Sequence, residues 1–247
     1  MKYILTIIPL VLCGYVMAQD YPITDRSFGY TTAYAVPAGT MQLETGYFQL
    51  DGLGGLDRTG IEGQSLLLRT GLWKGAELRG RAWYQSVRLG ETRLEGLSPV
   101  EVGIKQSIVE PSSGWPSIFA LVELGLPVGS GAFRPNGIDT RTKIIAEQFI
   151  SNTFILGVNA GKVWRGKEAD DLEYSASLRT AITPNMALYG EFFGIKTKDL
   201  DANNFLGVAY EVWLFPQIVL DVAAGLGVSE GGDDHYWAVG LVYRVGK

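Results

Sequence analysis

Cysteine and histidine are nearly absent from this chain. Cys13 is the sole cysteine and His235 the sole histidine among 247 residues. Leu12, not a small residue, precedes Cys13, which argues against an acylated cysteine. Beyond Cys13 there is no thiol for a disulfide framework, a thiolate metal site or a nucleophile. With a single imidazole, a hydrolase or acyltransferase has only His235, beside Asp233-Asp234 and near Ser229, to serve as its base.

Excess positive charge is also missing. Lys and Arg number 21 against 26 Asp and Glu, a net charge of −5. Such a chain has no basic footprint, and no nucleic-acid partner is expected. Gly52-Leu53-Gly54-Gly55 is not followed by Lys-Ser or Lys-Thr and is no phosphate loop. Glu230, Asp233, Asp234 and His235 read as an acidic outer loop, so no metal and no cofactor is expected. After residue 18 no run approaches eighteen apolar residues, and no helix is expected to span a bilayer.

The chain does carry a compact N-terminal signal. Lys2 is its positive end, Ile4 to Val11 its apolar stretch, and Val16-Met17-Ala18 its small-residue end. Residues 1–18 are expected to be a cleavable secretory signal, cut near Ala18. Residues 19–38 are mixed, weakly periodic and proline-bearing. They are expected to form an extended arm at the mouth of a barrel built from the rest of the chain, a candidate plug, with the lumen left open or closed by this reading alone.

From residue 39 to 247 the chain alternates apolar and polar side chains in bursts of about ten residues, each ending in a turn. Glu77-Leu78-Arg79-Gly80-Arg81-Ala82-Trp83-Tyr84-Gln85 is the clearest burst. A strand repeats every two residues, so one face meets a polar space and the other an apolar one. Twelve strands are expected, at 40–50, 62–73, 76–87, 98–109, 117–128, 140–150, 153–164, 171–182, 186–195, 204–213, 217–228 and 235–245. Their connections sort into a short set, such as Lys74-Gly75, Ser151-Asn152 and Thr183-Pro184-Asn185, and an alternating longer set at 51–61, 88–97, 129–139, 165–170, 196–203 and 229–234. This predicts an all-β fold. It is a single closed antiparallel transmembrane β-barrel of about twelve strands, with short periplasmic turns and longer outer loops, in the outer membrane of a Gram-negative bacterium.

The apolar series, including Leu66, Leu68, Val102, Ile104, Leu156, Val158, Leu220, Val222, Val239 and Leu241, is assigned to outer-membrane lipid. Trp73, Trp164 and Trp213 sit at strand ends, where interfacial aromatics are expected. The alternate series is assigned to the lumen. Its acids are Glu44, Glu77, Glu101, Glu123, Glu147, Glu173, Glu191, Glu211 and Asp221; its bases are Arg69, Arg79, Arg81, Lys105, Arg141, Lys143, Arg179 and Arg244.

Four phrases resemble a known family. They are Asp25-Arg26 followed by the Val36-Pro37-x-Gly39 step, Gln42-Leu43-Glu44-x-Gly46-Tyr47, Leu67-Leu68-Arg69-x-Gly71-Leu72 with Glu77-Leu78-Arg79, and Leu124-Gly125-Leu126-Pro127-Val128-Gly129-Ser130 running into a loop. The chain thereby resembles the MetA-pathway-of-phenol-degradation family of outer-membrane transporter-like β-barrels. The resemblance implies an outer-membrane barrel with a channel or uptake role for small, conceivably aromatic, solutes. Gly240, Tyr243 and Val245 partly match the terminal signal read by the barrel-insertion machinery, with Val245 in place of the usual final aromatic.

Two functional readings are open. In one, a basic wall at Arg69, Arg79 and Arg81 faces an acidic wall at Glu191, Glu211 and Asp221, and the transverse field orients small solutes in a charge-balanced channel. In the other, the charges pair, close the lumen, and leave a structural or loop-mediated binding barrel. A rim-located lipid-modifying enzyme using His235 is a further alternative, although no enzymatic activity is expected.

Overall fold

The structure is a computed structural model that describes residues 21–25, 29–52, 59–110, 114–151, 153–166, 169–229 and 234–246. The expected secretory signal, Arg26, Glu230 and Asp233 lie outside the described residues.

Among the described residues there are thirteen strands. They are β1 (Met41–Asp51), β2 (Thr59–Trp73), β3 (Ala76–Leu89), β4 (Thr92–Leu97), β5 (Glu101–Val109), β6 (Ser117–Gly125), β7 (Asp139–Phe149), β8 (Phe154–Trp164), β9 (Asp171–Thr183), β10 (Met186–Thr197), β11 (Asn203–Phe215), β12 (Ile218–Gly227) and β13 (His235–Val245). All neighbours are antiparallel. β1 pairs with both β2 and β13, which closes the sheet. Closure is what lipid demands, because an unpaired backbone group in hydrocarbon costs several kcal/mol.

The wall has twelve positions because β4 and β5 share one. β3 pairs with β5 from Ala76 to Arg81 and with β4 from Tyr84 to Leu89. Three expectations are corrected here. Residues 88–97 are not an outer loop but the end of β3, a two-residue turn and β4. Gly90 occupies that turn at φ 62°, a conformation glycine adopts freely. The strand expected at 98–109 starts only at Glu101, since Pro99 lacks the N–H that a ladder needs. The strand expected to run to 128 likewise ends at Gly125. A connection bearing a 3-10 turn at Gly131–Phe133 comes next, and Ser130 exchanges bonds with Leu97 on the edge of β4.

Register sets the two faces. On β2 the residues Leu66, Leu68 and Leu72 point outward and are exposed, while Leu67 and Arg69 point inward and are buried. The outward set on the other strands, such as Val158, Leu206, Val222 and Leu226, is largely apolar and exposed, with Thr142, Gln148 and Lys162 among its few polar members. An apolar outer surface this extensive suits lipid and not water. Aromatics flank it. Trp73, Trp115, Phe149 and Phe215 lie at the short-turn rim, and Tyr47, Tyr84 and Trp237 lie towards the long-loop rim, all exposed or partly so. Trp213 departs from the interfacial expectation. It lies on the inward register of β11 and is 3% exposed, inside the barrel.

Candidate functional site

The lumen at the short-turn rim is occupied by the arm. Residues 21–25 and 29–38 carry no regular secondary structure, yet Thr24, Asp25, Tyr30, Thr31, Thr32 and Val36 are buried. The barrel wall satisfies their backbone groups. Trp213 Nε1 donates to the Pro22 carbonyl (2.8 Å), and Gln42 Nε2 and Arg69 Nη1 donate to the Ile23 carbonyl (2.8 and 2.9 Å). Val36 N–H donates to Glu77 Oε2 (2.8 Å), and Arg69 Nη2 donates to the Tyr34 carbonyl (2.9 Å).

The arm joins β1 through the Val36-Pro37-Ala38-Gly39 step. Gly39 takes φ 78°, and Gly39 N–H donates to the Gly71 carbonyl (3.1 Å). A Cβ on Gly71 would come within 2.0 Å of the Pro37 carbonyl oxygen, so only glycine admits this close approach.

Asp25 is the centre of the arm's hold. Its Oδ2 is paired with Arg69 Nη2 (3.5 Å), Arg79 Nη1 and Lys105 Nζ. Its Oδ1 accepts the Thr32 backbone N–H (2.9 Å) and the Thr32 hydroxyl, which folds the arm into a loop around the carboxylate. Burial by itself would raise this acid, but the charges of Arg69, Lys105 and Arg79 prevail and hold it well below the usual carboxylate range. Across the lumen, Tyr30 Oη donates to Glu147 Oε1 (2.5 Å). Burial first, then the neighbouring Glu147, pushes the Tyr30 phenol well above its ordinary value, so it remains a donor.

Around the arm the charges form a ladder on neighbouring strands. Arg69 bridges Glu44 (2.9 Å) and Glu77 (2.8 Å); Arg79 bridges Glu77 (2.9 Å) and Glu123 (3.2 Å). Higher in the barrel, Arg81 pairs with Glu101 and Glu123 (3.4 Å each), Arg141 with Glu101 (2.8 Å), Glu123 and Glu173 (3.3 Å each), and Lys143 with Glu173 (3.3 Å). The lower rungs are fully buried and the upper ones partly open.

The expected transverse field is therefore corrected. The arginines do not face a separate acidic wall; they interdigitate with Glu44, Glu77, Glu101 and Glu123, one or a few strands away. Glu191, Glu211 and Asp221 lie on β10, β11 and β12, whose inner face is largely apolar. Alternation alone does not reveal this second wall. Phe193 stacks on Phe205 (centroids 5.1 Å), and Tyr236 meets both rings edge-on. Ala209, Ala223 and Ala238 complete the patch, with Tyr189 and Trp213 nearer the short-turn rim. Tyr189 Oη donates to Glu211 (2.5 Å), and the Arg179 guanidinium lies over the Tyr189 and Trp213 rings, 3.9 Å from Glu211. Arg244 donates to Gln42 Oε1 (2.8 Å) and stacks on Tyr34 of the arm. The inward positions of β11 and β13, Phe205-x-x-x-Ala209-x-x-x-Trp213 and Tyr236-x-Ala238-x-Gly240-x-Val242, carry the signal that would have revealed it.

His235 stands at the long-loop rim on the outward register, exposed, 3.7 Å from Asp51. Gly227-Val228-Ser229-Glu230-Gly231 spells the letters of a nucleophile elbow, but among the described residues the next element is the strand β13 and not a helix. Ser229 Oγ accepts from Asn204 N–H and donates to the Ala202 carbonyl, holding the connection between β10 and β11. In the terminal strand Tyr243 and Val245 face outward and Gly240 inward.

No family model matches the chain, and no curated protein matches it. Solved structures do. The COG4313 outer membrane channel from Pseudomonas putida F1 superposes with a TM-score of 0.65 at 12% identity, over 85% of this chain and 97% of that one. The fold is that of outer-membrane β-barrels. A KdgM porin in complex with disordered oligogalacturonate gives a TM-score of 0.61 at 11% identity, over 82% and 98% of the two chains. The translocator domain of the autotransporter NalP from Neisseria meningitidis gives 0.56 at 10%, over 85% and 90%. A channel, a porin and a translocator share this architecture, so the barrel alone does not select an activity.

Proposed function

We propose that this chain is an outer-membrane channel for small solutes, held shut at its periplasmic end by its own N-terminal arm. The short-turn rim is then periplasmic, and the arm reaches the lumen from that side after removal of the signal at 1–18. The single observation that carries this reading is the mode of the arm's attachment. Around Asp25 it is joined to the wall by buried ion pairs, to which a short bridge from Ala38 to Gly71 and an apolar contact of Ala33 with Phe119, Leu121 and Ile145 add. A permanent filling needs no such arrangement, since apolar residues of the same volume fill a space as stably as buried ion pairs do.

The interior offers two surfaces to a solute: the partly open ladder of Arg81, Glu101, Arg141, Lys143 and Glu173, and the aromatic patch of Phe193, Phe205 and Tyr236. Small amphipathic solutes, with a polar group for the first and a ring for the second, fit this pair. The transport role implied by the family resemblance agrees, and the likeness to channel and porin structures supports it at the level of fold. The outward Tyr243 and Val245 of β13 are what the barrel-insertion machinery would read.

Single-channel conductance in planar bilayers, with the full chain and with residues 19–38 removed, tests the reading. The shortened protein is expected to conduct in discrete, larger steps. Equal, negligible conductance from both would leave the barrel a structural one.

A further inference from the structure

We infer that the buried cradle of Arg69, Arg79 and Lys105 is a binding site for the carboxylate of a small solute, and that Asp25 stands in for that solute while the arm is seated. This rests on the arm being displaceable, as the proposed function has it.

The charge pattern first points there. In the ladder, six cations (Arg69, Arg79, Arg81, Lys105, Arg141, Lys143) meet five carboxylates of the wall (Glu44, Glu77, Glu101, Glu123, Glu173). The sixth carboxylate is Asp25, supplied by the arm. Without it a positive charge is left over in a dry interior, where an unpaired charge is strongly unfavourable.

Geometry locates that excess. Arg69 keeps Glu44 and Glu77 when the arm leaves, and Arg79 keeps Glu77 and Glu123. Lys105 loses more. Its bonds to Asp25 Oδ2 and to the Thr32 carbonyl (3.2 Å) both belong to the arm, and Glu77 at 3.4 Å is its other ion-pair partner. A second observation is independent of the arm. Arg79 is 2% exposed, and its Nη2 has no hydrogen-bond partner among the described residues. The cradle thus holds a spare donor beside the point where three cations converge, which is more than one aspartate uses. A carboxylate bound to Arg79 through two oxygens would engage it.

The chemistry selects a small monocarboxylate. Its charge restores the balance, and a neutral molecule does not. The flanking inward residues Phe119, Leu121 and Ile145, now packed against Ala33 of the arm, would take an apolar body once the arm has moved. A solute carboxylate and Asp25 cannot both occupy the cradle, so binding and arm release are one event.

Benzoate, with benzamide as its neutral counterpart, is the probe. In bilayers of the full-length Asp25→Ala protein, the reversal potential is expected to shift towards anion selectivity relative to the unsubstituted chain. Millimolar benzoate should reduce its chloride current at least tenfold more effectively than benzamide, and Lys105→Met added to Asp25→Ala should abolish the difference. Equal effects of benzoate and benzamide on Asp25→Ala would overturn the proposal. The unsubstituted protein gives a reading that needs neither a variant nor conductance. Benzoate should speed proteolysis of residues 21–38 several-fold over chloride at equal ionic strength, and no acceleration would overturn the cradle. The two ideas fail separately: a pore opened by arm deletion but indifferent to benzoate keeps the channel and removes the cradle.

Discussion

Asp25 Oδ2 and Arg69 Nη2 lie 3.5 Å apart, with neither side chain reaching solvent. The pair joins a segment of no regular structure to the second strand of the barrel, and Arg69 continues from it to Glu44 and Glu77. One guanidinium thus holds three carboxylates and two arm carbonyls, those of Ile23 and Tyr34.

Replacing Arg69 by Met should therefore be among the most destabilising single changes. It leaves Glu44, Glu77 and Asp25 buried with reduced compensation, a loss of about 3–5 kcal/mol for a broken buried network. Urea unfolding of the refolded barrel in lipid vesicles reads it. Adding Glu77→Gln to Arg69→Met should recover part of the loss, because the uncompensated charge is removed with its partner. A double variant as unstable as the two single losses added together would show that the network is not coupled.

Gly29 sets the arm's position against the aromatic wall. A Cβ there would lie 2.2 Å from Phe193 Cγ, inside any van der Waals distance. Gly29→Val should dislodge the arm locally without touching a strand. The expected result is faster proteolysis within residues 21–38 and higher conductance, with an unchanged unfolding midpoint for the barrel. An arm as protected as in the unsubstituted chain would mean that the seat relaxes by moving Phe193 instead.

The barrel is legible in the sequence because alternation with period two survives wherever a wall divides lipid from lumen. Leu66, Leu68 and Leu72 against Leu67 and Arg69 are an instance. What alternation cannot convey is which inward residues meet. Arg79 and Glu123 are 44 residues apart in sequence yet 3.2 Å apart in the lumen, because β5 lies between β3 and β6. The same blindness hides the aromatic wall, since Phe193, Phe205 and Tyr236 come from three strands. Residues 92–97 resemble a loop for a different reason. Outside the bilayer both faces of β4 are polar or mixed, so nothing distinguishes such a strand from a loop.

That extension is held by a small clasp. Ser130 Oγ accepts the Leu97 N–H (2.9 Å), and Ser130 N–H donates to the Leu97 carbonyl (2.9 Å). Ser130→Ala removes the first bond and keeps the second, a loss of about 1 kcal/mol at most for a neutral bond near solvent. Hydrogen exchange at Leu97 should rise while amides of β6 and β7 stay protected. Unchanged exchange at Leu97 would mean that water replaces the hydroxyl at no cost.

Acid should release the arm, and only strong acid. Asp25 in the folded chain titrates well below its ordinary value because Arg69, Lys105 and Arg79 overcome the effect of burial. An unfolded aspartate titrates near 3.9, so below about pH 4 the unfolded chain binds a proton that the seated arm refuses. The latch's contribution to stability is whole above that pH and is lost as pH falls through the folded value. Between pH 8 and pH 5 the arm should stay seated, and proteolysis of residues 21–38 should be flat. Below pH 4 it should accelerate, and Asp25→Asn, which has no such proton to take up, should lack that acid limb while being loosely held at every pH. Parallel profiles for Asp25→Asn and the unsubstituted chain down to pH 2 would place the acid response on a different carboxylate, with Glu44 and Glu77 the next to substitute.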